Sequence, residues 1–439
     1  MAKKIKAGYR RYRDQFRNWY RLTRANSKRD KIDAKIIAIT GSSAKSTTTL
    51  LLMHILQGAA QVRAVALSND LISAATGILA LRRNDDYLIV ESGAGIPGKL
   101  ARMAKVLSPD VAIVTLVALE HKSEFRSIDA VMREKSEIVA AVRSGGFAVL
   151  NADDAFVMQM VSYTSQRIVK FGMRENADYQ AVDIKARFPE RLSLIMRYGQ
   201  SSLPLSTNFV GEQFWLPAIA AAATSIELGV PEQVIVERIS TFGPVFGRCN
   251  LIDIPSGPQF ILDTTKAPWH SLSLSFDIVE KALTSRKRIV LGHMSDFAGS
   301  DSKYRDAYHM ARAIADEVIF VGNHSHRSKA SSEDRESGRF REFSSPKLVA
   351  DYIRSTAVPG ELILLKGSVD LHLERIALSF EDHVACWEPA CGKKGDCKRC
   401  GLYKISYDEH RGCKPTWRTK VFGQKRDKRA AKNSSADAM

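Results

Sequence analysis

No stretch of about 18 uncharged apolar residues occurs in this 439-residue sequence, so no segment reads as a membrane-spanning helix. The basic N-terminus also lacks the apolar core and small-residue cleavage site of an export signal. No internal repeat is visible. Cysteine is scarce, and five of the six lie between Cys386 and Cys413. Without export signals, that clustering favours metal ligation over disulfides. These absences lead to the expectation of a cytoplasmic protein, and the length allows two or three domains.

The composition, 45% hydrophobic and 26% charged, is that of a globular chain, but its formal charge of +17 is unevenly placed. Lys3, Lys4, Lys6, Arg10, Arg11, Arg13, Arg17, Arg21 and Arg24 crowd the start. Lys425, Arg426, Lys428, Arg429 and Lys432 crowd the finish. The charge describes the ends better than the body. Basic tails bind polyanions without specificity, so no specific nucleic acid is expected.

Within residues 1–34, Ile5, Tyr9, Tyr12, Phe16 and Trp19 recur at intervals of four and three, which predicts an amphipathic basic helix. Its aromatic stripe is expected to pack on the body of the protein or on a second subunit. Peripheral attachment to the anionic inner membrane face is the other reading. From residue 35 the chain alternates β-branched runs (IIAIT, YLIVE, VAIVT, FAVLN) with helical stretches, the pattern of a covered parallel sheet. The alternation restarts after residue 243 with FILD, RIVLG, EVIFVG and LILLKGS. The predicted fold is therefore α/β: a parallel-sheet domain over 35–243, then a Rossmann-like α/β domain over 244–380. A cysteine-rich segment (381–415) follows as a metal-stapled appendage separate from the catalytic core. A basic tail (416–439) is too polar to fold alone.

Between the first strand and a helix lies Thr40-Gly41-Ser42-Ser43-Ala44-Lys45-Ser46-Thr47-Thr48. In that setting backbone amides surround phosphate oxygens, Lys45 neutralises the terminal phosphates and the Ser46 hydroxyl reaches Mg²⁺. Glu91 ends the YLIVE run, and a carboxylate at the C-terminal edge of a parallel sheet is well placed for function. Taken alone, Lys135 reads as a surface lysine and Asn151-Ala152-Asp153-Asp154 as a strand-ending turn.

These residues together resemble the Mur ligase family, closest to the branch that adds D-alanyl-D-alanine. The family's phosphate loop reads T-G-T-x-G-K-T-T, and Ala44 stands here where it has glycine. Glu91 to Gly98 resemble its E-x-G-x-x-x-x-G, and Thr115, His121, Phe125 and Ser127 its T-N-x-x-x-x-H-x-x-x-F-x-S, with Leu116 replacing the asparagine. The resemblance implies ATP and Mg²⁺ as cofactors, with Glu91 and His121 on a second Mg²⁺ and Lys135 as a carbamylated lysine. It further implies that Asn151 lies near adenine, with Arg248 and Asp263 as nucleotide contacts and a hinge at about Pro244–Gly247. Lys266 replaces part of the family's D-S-Y-N-A-N-P stretch, and His293 replaces the acid of L-G-D-M. Leu365-Lys366-Gly367-Ser368 resembles V-K-G-S.

The implied activity is an ADP-forming ligase that joins a small-molecule or peptide carboxylate to an amine through an acyl phosphate. Only the basic helix precedes the phosphate loop, where the cell-wall enzymes carry a UDP-gripping domain, so their substrate choice is not carried over. Two alternatives stay open: a polymer synthase of polyglutamate or capsule type, and a nucleotide-binding regulator that has lost ligation. For the segment holding Cys386, Cys391, Cys397, Cys400 and Cys413, Zn²⁺ on a subset of the thiols is the leading expectation. An iron–sulfur cluster or free thiols are the alternatives. Cys249 reads as a core residue.

Overall fold

The computed structural model describes residues 2–120, 123–294, 301–393, 395–413 and 421–423. The first sheet contains β1 (Lys35–Thr40), β2 (Val62–Val65), β3 (Tyr87–Glu91), β4 (Val111–Val114), β5 (Phe147–Asn151) and β6 (Arg167–Gly172). It continues through β7 (Tyr179–Lys185), β8 (Ser193–Tyr198) and β9 (Ser201–Ser206). Its order is β2-β3-β1-β4-β5-β6-β7-β8-β9, parallel as far as β7 and antiparallel beyond. The parallel strands are almost wholly apolar because helices cover both faces, whereas β9 alternates buried and exposed residues. Helices α1 (Ala2–Arg29), α2 (Lys45–Leu56), α3 (Leu71–Ala80), α4 (Lys99–Leu107) and α5 (Ile128–Ala140) accompany these strands.

β1 lies between β3 and β4, so the connections diverge there and open a crevice beyond the carboxyl ends of these three strands. Three stretches of the phosphate-site resemblance meet at this crevice: residues 41–47, Glu91 and the segment after β4.

The second sheet holds β10 (Asn250–Asp253), β11 (Gln259–Asp263), β12 (Lys287–Leu291), β13 (Glu317–Val321), β14 (Phe340–Phe343) and β15 (Leu362–Lys366). Its order is β10-β11-β15-β12-β13-β14, parallel except for β10. The start of this sheet is fastened by the fully buried Arg288, which grips Glu361 at 3.1 and 2.6 Å.

Three expectations change. Within the stripe on α1, Phe16 and Trp19 are not packed on the body, being 57% and 59% exposed. The side chains of Ile5, Tyr9 and Tyr12 lie outside the described residues. The helix docks through its last turns instead, where Ala25 is buried and Lys28 Nζ donates to the carbonyls of Leu79 and Leu81 at 3.0 and 2.7 Å. Arg29 pairs with Asp110 at 2.7 Å. The basic tail is structured at β16 (Val421–Gly423), which pairs antiparallel with β2; the rest of 416–439 falls outside the described residues. Finally, the cysteine segment is not separate. Cys397 N–H donates to Glu374 at 2.9 Å, and Arg375 bonds to both Cys397 and the Glu388 carbonyl, tying the segment to the helix Glu374–Glu381. Among the described residues no helix is long and apolar enough to cross a membrane.

Candidate active site

The phosphate loop takes its shape from the segment that follows β4. A Cβ on Gly41, whose φ is 143°, would stand 1.9 Å from Thr115 Oγ1, so glycine is required there. Thr115 Oγ1 donates to the Ser43 carbonyl at 2.7 Å, and Ser42 Oγ accepts from Ala118 N–H at 2.9 Å. Ala44 is left-handed, with φ 64° and ψ −9°, a conformation that costs a non-glycine residue about 1–2 kcal/mol. No side chain caps α2, so the amides of Lys45, Ser46 and Thr47 form a donor cluster suited to an anion. Lys45 Nζ donates to the Gly41 carbonyl at 2.5 Å. Burial lowers the Lys45 ammonium to about 8, against the opposing pull of Glu120. A phosphate arriving here would favour the charged form.

Ser46 Oγ lies 3.0 Å from both carboxylate oxygens of Glu91. The backbone N–H of Leu67, itself at φ 61°, holds Glu91 Oε2 at 2.9 Å. Hard oxygen donors from a hydroxyl and a carboxylate, beside an anion cradle, fit Mg²⁺. Lys135 is fully buried and pairs with Glu120 Oε1 at 2.6 Å. Burial lowers the Lys135 pKa against that pairing. Burial opposes ionisation of Glu120, yet Lys45 and Lys135 hold its carboxyl below the usual range. His121 lies outside the described residues. Asn151 is buried with both ends of its amide engaged, donating to the Thr115 carbonyl at 2.8 Å and accepting from Asp153 N–H at 3.0 Å. It braces the loop after β4.

The second domain contributes Lys266, close enough to Lys45, Glu120 and Lys135 to act on all three charges. Asp263 is paired with Lys366 at 2.5 Å, joining two of the family-like stretches. Arg248 is half-buried and follows Gly247, which has φ 73° and is bridged to Thr265 by a 3.0 Å hydrogen bond. His293 Nδ1 meets Asp370 at 2.8 Å, while its ring lies 5.0 Å from that of His324. Nothing in the local sequence marks Glu120 or Asp370 for these contacts, although the first immediately precedes His121.

Residues 39–225 match the family described as Mur ligase middle domain. This is a Mur ligase-like chain. It is 24% identical over 366 residues to the UDP-N-acetylmuramoyl-tripeptide–D-alanyl-D-alanine ligase of Escherichia coli K12, covering 82% of this chain and 79% of that protein. A crystal structure of MurF from Acinetobacter baumannii superposes with a TM-score of 0.73 at 24% identity, covering 83% of this chain and 81% of that one. The MurF ligase of Thermotoga maritima in complex with ADP gives 0.72 at 19% identity, with 83% of each chain covered. At these identities the structural likeness establishes the fold: parallel-sheet domains of the P-loop and Rossmann-like kinds.

In this Mur ligase-like chain Cys386, Cys391, Cys397 and Cys400 are buried, whereas Cys413 is exposed. Cys249 is buried in the core, as its apolar setting suggests. No three of the thiols come together among the described residues. The group of three potential metal donors that lies within 4.8 Å is His372, Glu374 and Cys397. Two of these precede the cysteine run, so reading the cysteines alone missed them.

Proposed function

We propose that the chain is an ATP-dependent, ADP-forming ligase that activates a carboxylate as an acyl phosphate and couples it to an amine. The observation that carries this reading is the convergence of Lys45, Ser46, Glu91, Glu120 and Lys135 on one sheet edge, with Lys266 arriving from the second domain. Phosphoryl transfer needs charge compensation at the transferred oxygens. Lys45 and the amides at the start of α2 supply it, and two Mg²⁺ ions, one held by Ser46 and a second by Glu91 and His121 in this reading, would add Lewis acids.

A carboxylate oxygen attacks the γ-phosphorus while the bond to ADP breaks. The amine then attacks the acyl carbon, the bond to phosphate oxygen breaks, and the amine loses a proton. Closure of the second domain about Gly247 excludes water, which would otherwise hydrolyse the acyl phosphate. Arg248 and Asp263 then face the nucleotide in this reading, and the Asp263–Lys366 pair sets the loop that presents Lys266. Burial lowers the Lys135 pKa against its pairing with Glu120, which favours the amine form that adds CO₂ and loses a proton to give the carbamylated lysine. The His293–Asp370 edge suits the incoming amine. An amino acid or short peptide is the proposed donor, and D-alanyl-D-alanine, from the names of the relatives, is a first probe. The test is ADP release on adding carboxylate and amine together. Release indifferent to both acceptors would favour a regulator, and products of many lengths a polymer synthase.

A second reading concerns α1. Phe16, Trp19 and Tyr20 are exposed on a basic helix, and a cavity of about 660 Å³ at its foot is lined by Arg24, Lys28, Lys31, Arg82 and Arg83 among others. This combination suits an anionic membrane surface. Co-sedimentation with anionic but not neutral vesicles, lost in Phe16→Ser/Trp19→Ser, is expected; equal sedimentation with both would refute it.

A further inference from the structure

We propose that His372, Glu374 and Cys397 hold a single divalent metal ion, Zn²⁺ by the character of its donors, where the cysteine segment docks on the second domain. All three side chains are buried. His372 Nδ1 faces Glu374 Oε1 at 3.3 Å and Cys397 Sγ at 3.5 Å. One ring nitrogen has at most one proton to give, so it cannot donate to both groups; the N···O separation exceeds the usual hydrogen-bond range, and the N···S separation is that of a weak sulfur contact. They match the edges of a tetrahedron instead: bonds of about 2.0–2.1 Å to nitrogen or oxygen and about 2.3 Å to sulfur set N···O near 3.3 Å and N···S near 3.5 Å.

A second, independent observation points the same way. Glu374 Oε2 is buried without a hydrogen-bond partner, although Oε1 accepts Cys397 N–H at 2.9 Å. An unpaired carboxylate oxygen in a buried site is costly, and a cation relieves it. The surroundings are those of ligands held in place by outer partners. Cys391 Sγ lies 3.2 Å from His372 Nε2, placed to accept the other ring N–H, and Arg375 Nε donates to Cys397 Sγ at 3.0 Å. Cys391 is thus assigned to orienting the histidine. A mixed N, O and S donor set is borderline in softness, which suits Zn²⁺ better than a cluster held by four thiolates. The ion would join β15's following segment to the cysteine run, and the proposal stands independently of the ligase reading.

The test uses the full-length protein purified under reducing conditions without chelator. Elemental analysis should find about one Zn²⁺ per chain. His372→Ala and Glu374→Gln should each weaken retention by tenfold or more. Cys413→Ser should retain the full amount. Because a buried substitution can unfold the chain, Co²⁺ exchanged into the unaltered protein gives a second readout. Its spectrum should show tetrahedral coordination with sulfur charge transfer weaker than that of a four-thiolate site. Metal-free protein, metal retained at full affinity by folded His372→Ala, a four-thiolate Co²⁺ spectrum, or iron with acid-labile sulfide would each overturn the proposal.

Discussion

The phosphate loop and the cysteine segment are both polar clusters beside a parallel sheet, but they gather their partners differently. Around Lys45 the loop supplies most of its own chemistry in seven consecutive residues, and the neighbouring strands add single groups at their ends, such as Glu91. Around Cys397 the nearest donors, His372 and Glu374, come from residues ahead of the cysteine run. A loop whose function depends on backbone amides must be contiguous. A metal site needs only a few side-chain atoms at a point in space, so its members can come from separate elements.

The contrast breaks most sharply at Lys45. Lys45→Met keeps the volume while removing the charge, and ADP formation is expected to fall by orders of magnitude with an unchanged circular dichroism spectrum. Unaltered turnover would place the chemistry elsewhere. The next effect is at Glu91: Glu91→Gln should raise the Mg²⁺ needed for half-maximal turnover by about tenfold or more. Superimposable Mg²⁺ titrations of variant and parent would remove Glu91 from the site.

A smaller effect concerns protons. The free Lys45 ammonium titrates at about 8 because it is buried, and bound phosphate raises that value. Between the two pKa values, ATP binding therefore takes up a proton. Calorimetry in buffers of different ionisation enthalpy should show uptake of most of a proton near pH 9 and close to none at pH 6.5. Equal uptake at both would argue against Lys45 as the phosphate partner. Smallest is Ala44→Gly, which relieves a left-handed alanine and should stabilise the fold by about 1 kcal/mol, read from denaturant midpoints. Destabilisation would mean that the methyl group packs usefully.

The same contrast explains how much could be read in advance. β1, β3, β4 and β5 were legible because strands buried on both faces are continuous apolar runs, and the phosphate loop because its residues are adjacent. The second sheet's restart after residue 243 was legible for the same reason, whereas the short, mixed β10 and β14 were not. Glu120 and Asp370 acquire meaning only through Lys135 and His293, partners separated from them in sequence. The aromatic stripe of α1 shows the limit of periodicity. Spacing puts Phe16 and Trp19 on one face but does not say what covers that face.

The central claim, activation of a carboxylate by phosphoryl transfer at the Lys45 site, is tested most directly by following oxygen. A carboxylate acceptor that supports ADP release would be labelled with ¹⁸O and converted with unlabelled ATP and amine. The account expects one labelled oxygen in the released phosphate, because the attacking carboxylate oxygen leaves with phosphorus when the amine displaces it. Product formation with unlabelled phosphate would contradict it.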